Sequence, residues 1–239
     1  MNATDLFRAG RLLDAITTLG VELRNDPTDV QRRIFLFELL CFAGEYDRAD
    51  KQLDVLSASN KEAAMGALLY RSALHAQRLR EEQFRKGDAL QATRPNDRIS
   101  GTLNGRAFSK LTDADPRLGA RLEIFAAGQY MWIPFEHIES IHIEPPKRLR
   151  DRMWSPARVV TGPSFRGVEL GEILLPVLTP FACDDENDDV RLGRVTEWGQ
   201  LESGDVIPLG QKVVVADEEE IALLDIRELI IQPAASEPS

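Results

Sequence analysis

A self-similarity at a fixed spacing of 34 residues constrains the fold of this chain more than any other feature. Residues 9–15 read AGRLLDA, residues 43–49 read AGEYDRA, and Leu19 maps onto Leu53 under the same shift. A period of 34 residues is that of the tetratricopeptide repeat, a hairpin of two helices. Glycine suits the tight turn of such a hairpin, and alanine lets the two backbones approach closely. We therefore predict stacked helical hairpins; the alternative is two unrelated amphipathic helices whose Ala-Gly starts coincide.

The repeat accounts for only part of the 239 residues. Two repeats cannot bury both ends of a stack, so further helices or a second domain must close it. The apolar spacing in residues 61–85 predicts a helix that extends or closes the stack. Residues 1–110 contain 17 Lys/Arg and 15 Asp/Glu, a sum of +2, whereas residues 111–239 contain 12 and 24, a sum of −12. This asymmetry indicates two units with different surfaces.

Beyond a turn signal at residues 93–97, the apolar pattern becomes that of strands. Residues 121–125 and 130–133 predict a hairpin, and further strands are predicted at 157–161, 172–178, 192–197, 212–216 and 226–231. We therefore predict an α+β fold in two parts. Tetratricopeptide-like α-helical hairpins occupy residues 1–98, and a β-rich α+β domain, either a small barrel or a curved sheet, occupies residues 99–232. Residues 233–239 are predicted to form a flexible tail.

Composition and motifs argue against several classes of function. The net charge of −10 argues against a nucleic-acid binder that works through bulk charge. No apolar run is long enough for a membrane span, and the first residues lack the pattern of a signal peptide, so we expect a soluble cytoplasmic protein. Two cysteines are too few for a disulfide framework. Phosphate-loop, dinucleotide-binding, serine-hydrolase and zinc-protease motifs are absent, so we expect neither a cofactor nor enzymatic activity.

Two local clusters resemble metal sites. His137 and His142 lie five residues apart with Glu136 and Glu144 beside them, so a metal-dependent hydrolase is an alternative function. We expect instead a surface or half-buried histidine pair in a sheet. The acidic run at residues 183–189 lacks the glycine and the terminal glutamate of a calcium-binding loop, so a solvated, mobile loop is predicted there.

A basic segment at residues 145–158 surrounds one tryptophan with five cations, inside the acidic part of the chain. These residues are Lys147, Arg148, Arg150, Arg152, Arg158 and Trp154. One interpretation is a docking surface for an acidic or amphipathic partner. The other is an internal strut that neutralises Glu136, Glu139, Glu144 and the acidic loops of the same domain, because arginine pairs well with carboxylates. An RNA site is a third and weaker option, since it would need more stacking platforms than Trp154.

Several blocks of sequence resemble the ImpE family, whose members are also called SciE-type virulence proteins or TagJ. Two of them are WIPFEHI at residues 132–138 and PPKRLRD at residues 145–151. The others lie at residues 154–158, 175–178, 191–198, 209–212 and 223–229. The N-terminal helices fit as well, so the resemblance covers nearly the whole chain.

This resemblance implies an accessory protein of the bacterial type VI secretion system, with a tetratricopeptide-like N-terminus followed by the family's own α+β domain. It implies protein partners, namely the N-terminal helix of the small sheath subunit TssB and the sheath-disassembling ATPase ClpV, and it supplies no catalytic residues. Stacked helix pairs offer a groove suited to a partner's amphipathic helix. Candidate groove residues are Phe35, Phe42, Tyr46 and Tyr70, and the alternative for each is core packing between the helices.

Overall fold

A computed structural model describes the chain over residues 1–87, 95–162, 165, 170, 172–201 and 203–232. The tail predicted at residues 233–239 lies outside these residues. Helices come first and antiparallel strands follow. The predicted two-part α+β architecture is therefore confirmed.

The first part of the chain folds into helices whose ends are marked by local sequence signals. They are α1 (Ala3–Arg8), α2 (Leu12–Asn25), α3 (Val30–Phe42), α4 (Tyr46–Ser57) and α5 (Lys61–Lys86). The Asp29 side chain caps α3, and the Asn60 side chain caps α5 by accepting the N–H of Ala63 at 2.8 Å. These caps bond backbone N–H groups that the first turn of a helix leaves without partners.

The 34-residue repeat is visible in the backbone. The turns that join α1 to α2 and α3 to α4 place Gly10 and Gly44 at φ +73° and +70°, a region that favours glycine. In each turn the residue after the glycine donates its N–H to the carbonyl oxygen five residues earlier, over 2.9 Å in both hairpins. This is the Schellman closure of a helix C-terminus. Ala15 and Ala49, related by the same shift, are both fully buried.

The repeat stops at α5. A third copy would place its turn 34 residues after Gly44, but Arg78 stands there and the helix continues through it. It ends only at Gly87, whose φ of +73° forms a left-handed cap. The chain therefore has the first helix of a third hairpin, whereas the strands Arg121–Ala126 and Gln129–Pro134 pack on α5 in place of a second helix.

The strands form antiparallel sheets. They are β1 (Gly101–Leu103), β2 (Arg106–Phe108), β3 (Leu111–Asp113), β4 (Arg121–Ala126), β5 (Gln129–Pro134), β6 (Ile138–Ile143), β7 (Trp154–Thr161), β8 (Glu172–Pro176), β9 (Thr196–Gln200), β10 (Val206–Gly210), β11 (Val213–Ala216), β12 (Glu219–Ala222) and β13 (Glu228–Ile231). Within the described residues, an eight-stranded sheet runs β2-β1-β13-β6-β7-β8-β4-β5, a second runs β12-β11-β3, and β9 pairs with β10. The large sheet is open, because β2 and β5 do not pair. The barrel alternative is therefore wrong.

The predicted hairpin at residues 121–133 is confirmed as β4 and β5, with Ala127 and Gly128 at positive φ in the two-residue turn that twisted hairpins favour. The strand predicted at 192–197 is wrong in its first part. The short helix α6 (Asp188–Arg191) and a turn at Gly193 precede β9 there. The side chain of Asn187 starts α6 by accepting the N–H of Asp189 at 2.9 Å, a local bond that competes with strand formation.

The hydrophobic core extends across the boundary between the helical part and the β-rich part. One buried cluster lies within the β-rich part. The other cluster joins the helices to residues such as Phe125, Tyr130, Trp154 and Leu178 of the β-rich part. The two parts are therefore packed as one body with a shared apolar interior.

Candidate partner-binding site

The predicted basic segment docks on the chain's own helices. Arg150 donates from Nε to the Tyr70 hydroxyl at 2.7 Å and from Nη1 to a Glu38 carboxylate oxygen at 2.8 Å. Its guanidinium also lies over the Tyr70 ring, 4.9 Å from the centroid. Burial raises the pKa of Glu38, and the Arg150 charge opposes that rise. Arg150 is therefore an internal strut, but its partner lies in α3 and not among Glu136, Glu139 and Glu144.

Trp154 completes this contact from the interior. Its ring stacks on Tyr70 at a centroid distance of 6.4 Å, and its indole Nε1 donates to the Gln77 side chain at 3.4 Å. Phe37 meets Tyr70 from another side at 5.7 Å. Trp154 is almost fully buried. A partner protein therefore cannot contact Trp154 in this arrangement of the two parts.

The candidate groove residues are largely covered too. Phe42 and Tyr46 are buried, and the Tyr46 hydroxyl donates to Glu81 at 2.6 Å, where burial raises the pKa of the tyrosine. The space beside them holds a cavity of about 10 Å³, too small for any peptide. Phe35 is half-buried with its ring edge against Phe7 at 5.5 Å. The predicted groove is thus filled by the β-rich part, and of its candidates only Phe35 and Tyr70 retain partial exposure.

The rest of the basic segment stays on the surface. The carboxylate of Asp151 accepts the backbone N–H groups of Lys147 and Arg148 at 2.9 and 2.8 Å, which fixes the turn. Lys147 pairs with Glu144 at 3.5 Å. Arg148 and Arg152 are exposed and form no ion pair with another described residue. These exposed cations are accessible to a partner, so a docking surface on this segment stays a prediction.

A buried charge network joins α5 to the sheets. Arg80 forms a bidentate pair with Glu123 of β4 at 2.7 and 2.8 Å. Lys212 contacts Glu123 as well and pairs with Asp113 at 2.7 Å. The Tyr130 hydroxyl donates to Glu123 at 2.6 Å. Burial would raise the pKa of Glu123, but the Arg80 and Lys212 charges hold that pKa far below its ordinary value.

Sequence reasoning missed this network. The available signal was Glu123 among the apolar residues of 122–126. In the structure every residue of β4 is buried. A charge in a fully buried strand requires an opposite charge nearby. The partner of Glu123 is 43 residues away in Arg80, and no local pattern identifies it.

The acidic run at residues 183–189 has local secondary structure and contacts to the helices that the predicted solvated, mobile loop does not include. It holds a 3-10 turn at Ala182–Asp184 and the start of α6, and it touches both hairpin turns. Asp188 accepts the backbone N–H of Leu12 at 2.7 Å, because a carboxylate is stabilised at a helix N-terminus. A side chain at Gly44 would lie 2.9 Å from the Cys183 sulfur, so this turn requires glycine for space as well as for φ.

The two histidines do not share a ligand set. His137 packs beside Phe165 at 6.2 Å, whereas His142 is exposed and lies 3.5 Å from Glu144. Among the described residues, no three His, Cys, Asp or Glu side chains are grouped so that they could hold a metal ion. The metal-dependent alternative therefore has no geometric support in this part of the chain.

An exposed apolar stripe lies on the first half of α5. Met65, Leu68 and Leu69 are 68%, 67% and 50% exposed and share one face of the helix at spacings of three and four. Gly128 of the β4–β5 turn lies against Ser72, so the sheet reaches α5 just after these residues. We call Met65, Leu68 and Leu69 the α5 stripe. None of the three was a predicted site residue.

In the described ranges no helix is long and apolar enough to cross a membrane.

Comparison with known proteins supports the resemblance drawn from the sequence blocks. The ImpE protein family matches residues 105–230. The type VI secretion system accessory component TagJ of Pseudomonas aeruginosa is 34% identical, over 98% of this chain and 92% of TagJ. The crystal structure of protein VPA1032 from Vibrio parahaemolyticus has a TM-score of 0.81 at 23% identity, covering 96% of this chain and 97% of that one, which shows a shared fold. The chain belongs to the ImpE family.

Proposed function

We propose that this protein is a non-enzymatic accessory component of a type VI secretion system that acts by binding a helix of a sheath subunit. Family membership and the likeness to TagJ support the accessory role. The finer part of the proposal is that the partner is the N-terminal helix of TssB and that binding is linked to sheath turnover by ClpV. The α5 stripe is the observation that carries the helix-binding part.

The stripe lies where a repeat array would continue. In such arrays each helix hairpin buries its apolar face against the next one. The described residues include no second helix for the third hairpin, and the β4–β5 turn begins to cover α5 only at Ser72. A partner helix with its own apolar residues at spacings of three and four fits beside Met65, Leu68 and Leu69 in place of the missing neighbour.

Charged residues flank this surface. Arg71, two positions after Leu69, pairs with Asp50 at 3.0 Å and also contacts Asp54, so it is held against α4. Lys61 and Glu62 are exposed at the start of α5. Apolar anchors at the centre with charges at the rim are the usual anatomy of a binding surface, in which the anchors dominate affinity and the charges set register.

The test measures binding of a TssB N-terminal peptide to the full chain by isothermal titration calorimetry. Leu69→Asp is expected to weaken binding at least about tenfold, because it places a charge among the anchors. Leu13→Asp is the matched control, since Leu13 on α2 is also 50% exposed. Absence of binding to the unmodified protein, or equal effects of the two substitutions, would refute the proposal.

A second candidate surface is the exposed face of the basic segment, favoured by Arg148 and Arg152. Replacing both by Ala, with Arg150 left in place, spares the strut to Glu38. If this double variant loses peptide binding while Leu69→Asp retains it, the docking site lies on the basic segment and the α5 stripe is excluded.

A further inference from the structure

Strand β9 has an open edge. Within the described residues it pairs only with β10. The N–H of Leu201 donates to Asp205 at 2.9 Å beyond one end of the hairpin ladder. The N–H of Gln211 reaches the Val195 carbonyl at 3.4 Å beyond the other end. In an antiparallel pair, hydrogen-bonded and non-hydrogen-bonded residues alternate along each strand. These two bonds show that the backbone N–H and C=O groups of the odd-numbered residues of β9 face β10, whereas those of the even-numbered residues face away from it.

The outward groups of β9 are the N–H and C=O of Thr196, Trp198 and Gln200. They form no backbone hydrogen bond with another described residue. The opposite edge, on β10, is different. Pro208 has no N–H to offer there, and the Gly210 carbonyl already accepts the N–H of Thr179 at 2.8 Å. Only the β9 edge of this hairpin can therefore accept another strand.

Natural edge strands are usually protected by lysine, proline or a bulge. The β9 sequence, TEWGQ, has neither lysine nor proline, and its five residues pair with β10 without interruption. Its one charged residue, Glu197, accepts a hydrogen bond from the Asn187 side chain at 2.8 Å. Trp198 is 47% exposed beside this edge. A large exposed aromatic residue next to unpaired backbone groups is typical of an interface.

We propose that β9 pairs antiparallel with β9 of a second copy of this chain, forming a four-stranded sheet in the order β10-β9-β9-β10. The strand is self-complementary in the register centred on Trp198. Trp198 then faces its own counterpart, and Thr196 faces Gln200. Glu197 faces Gly199, so no like charges oppose each other. This dimer surface goes beyond the proposed function and does not use the α5 stripe.

The test is the mass of the full chain in solution, measured by sedimentation velocity from low to high micromolar concentration. The monomer has a mass of 26.8 kDa, and we expect a concentration-dependent shift toward twice that mass. Gln200→Pro removes an outward N–H of β9 and leaves its inward bonds intact, so it should raise the dimer dissociation constant at least about tenfold.

Val206→Pro is the matched control, because Val206 lies directly opposite Gln200 and its N–H points out from the β10 edge. It should leave dimerisation unchanged. Trp198→Lys is a second variant that keeps the β9 backbone and adds an edge lysine, and circular dichroism verifies folding of all three. A monomer at every concentration, equal effects of the two proline variants, or a folded Trp198→Lys protein that still dimerises would overturn the proposal.

Discussion

The two halves of α5 invert the usual distribution of side chains. The second half buries Arg80 and Glu81, whereas the first half exposes Met65, Leu68 and Leu69. Charged residues are ordinarily found at the surface and large apolar ones in the interior. In one continuous helix, both departures from that pattern need an explanation, and the explanations differ.

The second half can bury charged residues because the chain itself supplies the opposite charges. Arg80 finds Glu123 on β4, and both side chains are almost completely shielded from water. Replacing one member of such a pair alone is strongly destabilising, because the other charge then stays buried without its partner. The second half of α5 is therefore joined to the sheets by charges that find their partners in this packing of helices on sheets.

The first half exposes its apolar residues, and no other described part of the chain covers them. The apolar residues of the α5 stripe gain nothing from solvent exposure, since burial of apolar surface is what stabilises such side chains. Their exposure is consistent with cover by another molecule. The internal interface of α5 therefore uses charge, whereas the proposed external interface would use apolar anchors.

The largest expected effect comes from breaking the internal interface. Glu123→Ala leaves Arg80 and Lys212 buried without the carboxylate they share, and should lower the free energy of unfolding by about 3–5 kcal/mol. Urea unfolding followed by circular dichroism measures this. The control is Glu219→Ala, which breaks the exposed 2.8 Å pair with Arg106 and should cost less than about 1 kcal/mol. Similar losses in the two variants would contradict the role given to the network.

A smaller effect should appear in the pH dependence of stability. Burial raises the pKa of Asp113 to about 6 from 3.8, although Lys212 opposes this. The folded protein then binds that proton at higher pH than the unfolded chain, so Asp113 adds stability as pH falls from about 6 to about 4. Glu123 acts oppositely below about pH 4.5, because its folded pKa is lowered and the unfolded chain takes up the proton first.

Asp113→Asn isolates the first contribution. As pH is lowered from about 7 to about 5, the unmodified protein should gain stability relative to the variant, by about 1 kcal/mol. Urea unfolding at several pH values measures the difference between the two proteins. A difference that stays constant across this range would show that Asp113 titrates normally in the folded state.

The features that sequence predicted well are those that neighbouring residues determine. The hairpin turns follow from Gly10 and Gly44, whose φ values and hydrogen bonds are local. The β4–β5 hairpin follows from Ala127 and Gly128 between two apolar runs. In these cases the backbone geometry that the residues prefer is the geometry observed, so spacing alone was sufficient.

The candidate site could be predicted only in part, because apolar pattern identifies what is buried and not what covers it. Tyr70 and Trp154 were assigned to two different docking surfaces, yet they stack on each other. Arg150 was correctly considered as a strut, but its partner Glu38 lies 112 residues away. Asp188 caps α2 across 176 residues. Such contacts depend on how the two parts pack, which no local pattern encodes.

The smallest expected effect tests whether the α5 stripe is open to solvent. Leu69→Ser should change the free energy of unfolding by no more than about 0.5 kcal/mol, because an exposed side chain gives up little on replacement. Leu74→Ala, five residues further along α5, removes a buried side chain and should cost about 2–5 kcal/mol. Thermal and urea unfolding of the two variants measure the contrast. If Leu69→Ser were as destabilising as Leu74→Ala, the α5 stripe would already be covered within the chain and would not be available to a partner helix.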